Sequence, residues 1–392
     1  MHCPPTAVPV ATSLVGVAGA CGAFATIYWF NVPASIGIVL LLVACALPMW
    51  VMERRRHPGR GAGSSGRPLD WLFGAFVILL LFVSSFWVQL RWGGSKGGSV
   101  AEAELLGLCA FLLMVGIAGW DRYVGYDDSV SRLGRQLRGA QLKDGRLMEV
   151  LLEWVVKAFF LPLMLGGGVV WLYFAGNQGS MSLRAQFAVQ VMAFLYAIDV
   201  AFGSVGYMLT SARIGAHIRS VDMTWLGWLS ALVCYPPLSV LVFDTFLIYK
   251  TAHDWRYWLS DSPALALACG TAIILTVGVY TWSTVAFGPR FSNLTYRGVI
   301  TSGPYRFMLH PAYVSKNISW WLVSMPFFSA SGWRAAVLHS AALLTVNIIY
   351  WVRAKTEERH LSRYPEYMAY RRWIEERGVL ARLKRSFALA RA

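Results

Sequence analysis

Long apolar runs that carry almost no charge recur along most of this 392-residue chain. A run of about 18 or more such residues can cross the ~30 Å hydrocarbon core of a bilayer as a helix. Inside lipid the backbone must satisfy its own hydrogen bonds, which leaves helices or a closed barrel. Barrel strands alternate apolar and polar residues, and runs such as Phe76 to Val83 do not. The pattern therefore predicts an all-α, polytopic helical membrane protein.

Composition and charge agree with a membrane protein and not with a soluble one. Hydrophobic residues make up 57% of the chain and charged residues only 14%, against about 25% charged in typical soluble domains. The net charge of +15 resides in loops and in the C-terminal tail, as the positive-inside rule requires. No aromatic and basic motif for nucleic acid accompanies it, so we expect no nucleic-acid partner. The six cysteines lack metal-ligand spacing, and we expect no metal site.

The apolar runs define a set of spans and an orientation. We predict about ten transmembrane helices, over residues 8–30, 32–52, 70–90, 102–120, 150–175, 184–210, 223–249, 264–288, 312–330 and 333–352. The basic segments are 53–60, 121–148, 213–219 and the tail after 353. An even number of spans places all four, and both termini, in the cytoplasm. We therefore predict a multi-pass protein of the cytoplasmic or inner membrane, with its oligomeric state unspecified.

Two interruptions divide the chain. Pro236-Pro237 lies inside the seventh predicted span and should kink or break it, because neither residue can donate a helical hydrogen bond. The segment 289–311 is polar and is followed by a predicted helical hairpin that turns at Ser331-Gly332 and by a cytoplasmic tail. We assign residues 1–220 to a transmembrane region of unknown role. Residues 221–392 form the region that holds the recognisable chemistry.

The polar segment before the hairpin carries the first chemical motif. Gly303-Pro304 predicts a turn. His310-Pro311 places a titratable ring at the start of the next helix, where proline is tolerated. Tyr305 and Tyr313 add hydroxyl groups and flat apolar faces beside that ring.

A second motif follows the last span. Glu357 and Glu358 are flanked by basic residues and could hold a bound ammonium group. Aromatic and apolar side chains then recur at three- and four-residue spacing, which predicts a helix face able to cover a planar ring. These residues are Leu361, Tyr364, Tyr367, Tyr370 and Trp373.

At these motifs the sequence resembles the isoprenylcysteine carboxyl methyltransferase and phospholipid methyltransferase superfamily, over about residues 264–375. The residues that fit its first block, G-x-Y-x-x-x-R-H-P-x-Y, are Gly303, Tyr305, His310, Pro311 and Tyr313. The residues that fit its second block, on the far side of the hairpin, are Glu357, Glu358, Leu361, Tyr367 and Tyr370.

The resemblance implies an integral membrane methyltransferase that uses S-adenosylmethionine and methylates a lipid or lipid-linked acceptor. By that resemblance the cofactor-binding residues are Tyr305, His310, Pro311, Tyr313, Glu357, Glu358, Tyr367 and Tyr370. No residue is assigned as catalytic, because the sulfonium of this cofactor is already activated. Alignment of donor and acceptor with water excluded accounts for most of the catalysis.

Two positions depart from the family pattern. Leu309 stands where the family has a basic residue before the histidine, and Ser315 where it often has glycine. The missing basic residue implies either a different acceptor or a substitute cation, with Arg306, Arg297 and Lys316 as candidates. The residues predicted to bind substrate are Asn293, Arg297, Arg306, Lys316, Asn317 and Arg353.

Two other functions stay open on the sequence alone. Membrane sterol reductases share an R-H-P-N-Y-like block but use NADPH, and they typically carry Asp-Glu where this chain has Glu357-Glu358. A transporter or scaffold is the third class, because charges within spans are functional candidates by default. Glu153 and Lys157 are expected to pair on one helix face, and Asp199 to line a polar cavity or bind a basic residue from another span.

Overall fold

The computed structural model describes residues 2–59, 67–92, 100–125, 129–139, 145–176, 183–251 and 253–389. The helices in these ranges are α1 Val10–Trp29, α2 Ala34–Arg56, α3 Pro68–Trp92, α4 Val100–Tyr123, α5 Ser129–Arg138, α6 Gly145–Gly176, α7 Leu183–Met208, α8 Trp225–Leu232, α9 Leu238–Leu241, α10 Trp255–Trp258, α11 Pro263–Phe287, α12 Pro311–Ser324, α13 Trp333–Leu361, α14 Pro365–Arg377 and α15 Val379–Leu389. A two-stranded antiparallel sheet pairs β1 Ser220–Val221 with β2 Thr295–Tyr296, with Ser220 opposite Tyr296.

Seven helical stretches within the described ranges are long and apolar enough to cross a membrane. They are Val10–Trp29, Ala34–Arg56, Pro68–Gln89, Leu147–Phe174, Phe187–Met208, Pro263–Arg290 and Trp333–Leu361. Each coincides with one of the spans expected from hydropathy. The predicted helical membrane protein is therefore confirmed, whereas the count of ten stays a prediction.

Two of the expected spans are not single long helices. The segment 223–249 is divided into α8, α9 and a π-helical turn, Val242–Phe246, around Pro236-Pro237, as the loss of two amide donors dictates. The expected span 312–330 contains α12, whose 14 residues rise only about 21 Å. It ends there because Pro326 disfavours the helical conformation at the residue before it, and Met325 is left-handed, with φ 40°.

Close helix packing in the bundle depends on glycines, which have no side chain to hold two backbones apart. A Cβ on Gly19 of α1 would lie 1.9 Å from the Ala44 carbonyl oxygen of α2, so these helices meet backbone to backbone. A Cβ on Gly206 of α7 would lie 2.3 Å from the Phe291 carbonyl oxygen. The segment after α11 is therefore pressed against α7, which belongs to the N-terminal half of the chain.

The basic segments meet at one end of the bundle. Ion pairs join Arg213 to Asp121 over 2.5 Å and Arg290 to Glu53 over 3.8 Å. Arg138 reaches Asp70 over 2.9 Å. We call this the basic end; its predicted cytoplasmic compartment stays a prediction. The expected pair within α6 is confirmed, with Lys157 Nζ 2.6 Å from Glu153 Oε1.

Candidate functional site

The two sequence motifs meet at the basic end. His310 caps α12 with Pro311 in its first turn, and α13 returns antiparallel so that its last turns face that cap. The Tyr313 hydroxyl donates a hydrogen bond to Glu357 Oε2 over 2.9 Å. His310 Nε2 lies 3.1 Å from Glu358 Oε1. The hairpin thus joins residues more than forty positions apart in the chain.

The two adjacent carboxylates have different environments. Glu358 is 8% exposed and is held by His310, by Lys355 at 3.0 Å to both carboxylate oxygens, and by Arg371 at 3.9 Å. The Glu357 side chain is 40% exposed. Its Oε1 has no hydrogen-bond partner among the residues that the structure describes. Glu357 is therefore the carboxylate that can accept a ligand.

Helix α14 forms an aromatic cover over this carboxylate. Tyr367 and Tyr370 are both buried, and the Tyr370 hydroxyl donates to the Tyr305 carbonyl oxygen over 2.7 Å. The Tyr367 hydroxyl is buried without a hydrogen-bond partner in the described part of the chain. Burial, followed by the nearby charge of Glu357, raises the pKa of Tyr367. It is thus a neutral donor without a protein acceptor.

Three cavities converge on Glu357 and Ser292, which line all of them. The aromatic cavity is lined by Tyr305, His310, Leu361, Tyr367 and Tyr370, among others. The deep cavity lies between α11, α12 and α13 and is lined by Tyr235, Tyr280, Thr284, Lys316 and Arg353, among others. The polar cavity is lined by Asp222, Thr356 and His360, among others. Glu357 and Ser292 therefore stand where the three cavities meet.

Cations line the deep cavity. The Lys316 ammonium lies 5.2 Å from the Tyr280 ring centroid and 5.3 Å from that of Trp320. It makes no hydrogen bond or ion pair with the described residues. The Arg353 guanidinium lies 5.1 Å from the Tyr313 ring and donates to Asn293 Oδ1 over 2.6 Å. Lys316 is therefore free to meet an anionic or polar ligand group.

Asp199 of α7 supports the deep cavity from behind. Its two carboxylate oxygens accept hydrogen bonds from Tyr280 over 2.9 Å and from Thr284 over 2.5 Å. Tyr280 and Thr284 are one helical turn apart on α11, so both face α7. The hydrogen-bond partners of Asp199 in another helix are therefore hydroxyl groups of the cavity wall, where the sequence suggested a basic residue.

The structure gathers most, but not all, of the predicted site residues around these cavities. Those that line a cavity are Tyr305, His310, Tyr313, Glu357, Tyr367 and Tyr370 of the cofactor set, and Asn293, Arg297, Lys316 and Arg353 of the substrate set. Pro311, Glu358 and Asn317 do not line them, and Arg306 lines a separate groove. Arg297 donates to the carbonyl oxygens of Gly206, Ala216, Pro289 and Phe291, which makes it a clamp on the backbone.

Several lining residues were missed by sequence reasoning. Ser292 and Tyr235 carry no motif that would single them out. His360 lines the polar cavity, and its Nδ1 is buried without a partner among the described residues. The sequence did contain a signal for His360, because this residue stands three positions after Glu357 and therefore shares a helix face with it.

The fold and these cavities define a helical membrane protein with a polar and aromatic site at one end of its bundle. Residues 264–363 match the model of the isoprenylcysteine carboxyl methyltransferase family. The resemblance expected for residues 264–375 is thus confirmed for α11, α12 and α13, and α14 lies beyond the matched range. No curated protein and no solved structure matches the chain.

Proposed function

We propose that this protein is a membrane methyltransferase that takes its methyl group from S-adenosylmethionine and transfers it to a lipid or lipid-linked acceptor. One observation carries the proposal. Glu357 has a carboxylate oxygen without a protein partner in the described chain, at the point where the aromatic and deep cavities meet. The family matched by residues 264–363 supports the same chemistry.

The residues of the aromatic cavity fit the donor. Glu357 would hold its ammonium group by a charge-assisted hydrogen bond. The Tyr367 hydroxyl, without an acceptor in the described protein, would donate to one of its oxygens or ring nitrogens. Tyr305 and Tyr370 present apolar ring faces that suit a planar base. When bound, the cofactor supplies a methyl group already activated by the sulfonium charge.

The deep cavity fits the acceptor. It extends from Glu357 to Tyr280 and Lys316, within the helices that cross the membrane. An amphipathic molecule could place its polar group beside Lys316 and its chain between helices. Phe287, Tyr305 and Leu309 line both this cavity and the aromatic cavity, so a bound donor and acceptor would displace water from the junction between them. Catalysis then depends on holding the methyl donor and the acceptor in line.

The donor half of the proposal is tested by calorimetric titration of the detergent-solubilised full chain. Saturable binding of S-adenosylmethionine is expected, and Glu357→Gln should weaken it about 10- to 100-fold, because it removes a charged hydrogen-bond partner. Glu376→Gln, an exposed glutamate of the neighbouring α14, is the matched control and should bind as wild type. Absence of binding, or equal affinity of Glu357→Gln and wild type, contradicts the proposal.

Two further measurements separate the alternatives. Titration with NADPH under the same conditions should give no binding, and saturable NADPH binding alone would favour a reductase. Transfer of a radiolabelled methyl group into a lipid extract of the native membrane should label a discrete lipid in the presence of wild type. If cofactor binds and no lipid is labelled, the acceptor is not a lipid of that membrane, and the acceptor half of the proposal fails.

A further inference from the structure

A second, much more apolar recess lies beside α11. It consists of two adjoining cavities of about 630 and 460 Å³, which share Cys21 and Phe194 and are bounded by α1, α7 and, for the larger one, α11. We call it the α1/α7/α11 groove. Along α1 it extends from Val10 to Tyr28, about 27 Å at the helical rise. That length approaches the ~30 Å thickness of a hydrocarbon core.

The described residues that line this groove are distinct from those that line the candidate site. Thr281, Trp282 and Val285 line the groove. Tyr280 and Thr284, each one position earlier than Thr281 and Val285, line the deep cavity on an adjacent side of the same helix. A molecule in the groove therefore occupies a different space from the proposed methyl donor, so this inference does not depend on the proposed function.

The groove carries charge at one end only, because Arg306 is the single charged residue among the described residues that line it. Arg306 and Ser302 lie at its mouth at the basic end, and Ser13, in the first turn of α1, lines the same cavity. Ser13 is 5% exposed, and its hydroxyl has no hydrogen-bond partner among the described residues. At the opposite end the wall is formed by Phe24, Tyr28 and Phe187, with Gln190 as an uncharged polar residue. A ligand with one polar end and a long apolar part matches this asymmetry.

Arg306 differs from Arg213 and Arg290 in having no protein anion beside it in the described part of the chain. Arg213 and Arg290 are paired with Asp121 and Glu53. Arg306 is exposed and forms no ion pair or hydrogen bond with the described residues. An arginine at an interface that lacks a protein anion is suited to a phosphate group, which it can bind with two parallel hydrogen bonds.

We propose that the α1/α7/α11 groove is a binding site for an anionic phospholipid that is not methylated. Its phosphate would meet Arg306, with the unpartnered Ser13 hydroxyl at the same end. An acyl chain would follow α1 past Cys21 toward Tyr28. Basic recesses between membrane helices are suited to such head groups.

The test compares two lipids that differ only in the head group. The detergent-solubilised full chain is titrated with phosphatidylglycerol or with phosphatidylcholine of the same short chains, and thermal stabilisation and retained lipid by mass spectrometry are measured. Stabilisation by phosphatidylglycerol at several-fold lower concentration than by phosphatidylcholine is expected. Equal effects of the two lipids would overturn the proposal, and so would inorganic phosphate acting as well as phosphatidylglycerol.

Two variants locate the site. Arg306→Gln should raise the phosphatidylglycerol concentration needed for half-maximal stabilisation about tenfold, the value of one charge-assisted contact. Gly278 lines the groove, and a Cβ atom at this position would have no atom within 4 Å. The ring of Gly278→Phe should therefore fill the groove and abolish retention of lipid. The control is Arg334→Gln, which changes an exposed arginine in the first turn of α13, at the end of that helix far from Glu357. Wild-type behaviour of both test variants, or the same loss in the control, would contradict the assignment.

Discussion

The Tyr313 hydroxyl donates to Glu357 Oε2 over 2.9 Å, while the other carboxylate oxygen of this cavity-lining residue has no hydrogen-bond partner in the described part of the chain. Tyr313 thereby fixes the direction of a carboxylate that lies on a different helix. His310 Nδ1, 4.0 Å from the same Oε2, adds to this positioning. A carboxylate held in place loses less conformational entropy when it binds a cation.

The first prediction concerns this hydrogen bond. Tyr313→Phe retains the ring but removes the donor, so Glu357 should become free to rotate. We expect the affinity for S-adenosylmethionine to fall about 3- to 10-fold, the range of one neutral hydrogen bond, measured by calorimetry. Tyr257→Phe, at an exposed tyrosine of α10, should have no effect. Unchanged affinity in Tyr313→Phe would show that the ligand does not use Glu357 in this orientation.

The second prediction concerns the buried contact between Arg353 and Asn293. Arg353 is 6% exposed and donates to Asn293 Oδ1 over 2.6 Å. Arg353→Met leaves that oxygen buried without its donor, which should lower the free energy of unfolding by about 1–3 kcal/mol. The measurement is the midpoint of thermal unfolding in detergent. Arg359→Met, whose guanidinium contacts Thr224 at the exposed surface, should change stability by less than about 0.5 kcal/mol.

The third prediction concerns close packing against α7. A Cβ at Gly206 would lie 2.3 Å from the Phe291 carbonyl oxygen, and backbone atoms cannot move as easily as the end of a side chain. Gly206→Ala should therefore destabilise the protein by about 1–3 kcal/mol or more. Gly166→Ala in α6 is the control, because nothing lies within 4 Å of its Cβ position. It should be neutral or stabilising by up to about 1 kcal/mol. Equal unfolding midpoints for the two variants would refute the packing argument.

The fourth prediction is a pH dependence at Glu366. A hydrogen bond from the Tyr296 hydroxyl, 2.6 Å away, holds the pKa of the Glu366 carboxyl below its ordinary value, with a smaller effect of Arg219. Because the ionised carboxylate is favoured in the folded state, its contribution is complete above the ordinary pKa of about 4.3. It is lost as the pH falls through the lower folded-state pKa.

Glu366→Gln should therefore unfold at a lower temperature than wild type at pH 7, and the difference should shrink at pH 4 and below. The effect should be small, because the Glu366 side chain is 43% exposed. The control is Glu376→Gln, whose difference from wild type should not vary over this pH range. If the difference in unfolding temperature between wild type and Glu366→Gln grew as the pH was lowered, the assignment of the hydrogen bond would be wrong.

The sequence was sufficient for much of the site because the helical hairpin brings its two motifs together by local rules. A turn after α12 and an antiparallel α13 place Tyr313 opposite Glu357. The difference between Glu357 and Glu358 could not be predicted. It depends on where Lys355 and Arg371 direct their side chains, and Arg371 belongs to a separate helix.

The remaining misses have two physical causes, of which the first is contact between distant parts of the chain. Asp199 meets Tyr280 and Thr284 across more than eighty positions, and no periodicity reports such a pair. The second cause is local: hydropathy overestimated the length of the ninth expected span, 312–330. The apolar residues continue after Ser324, but Pro326 ends the helix, and local backbone chemistry prevails over hydrophobicity there.

The contacts of Gly206 with Phe291 and of Asp199 with Tyr280 and Thr284 have an evolutionary consequence. The segment matched to the family shares its inner walls with a helix that precedes it in the chain, so neither half can be exchanged for the corresponding part of a relative without the other. In a set of orthologues, substitutions at Asp199 should be accompanied by changes at Tyr280 or Thr284. A chimera that joins a foreign N-terminal half to α11, α12 and α13 should fail to assemble.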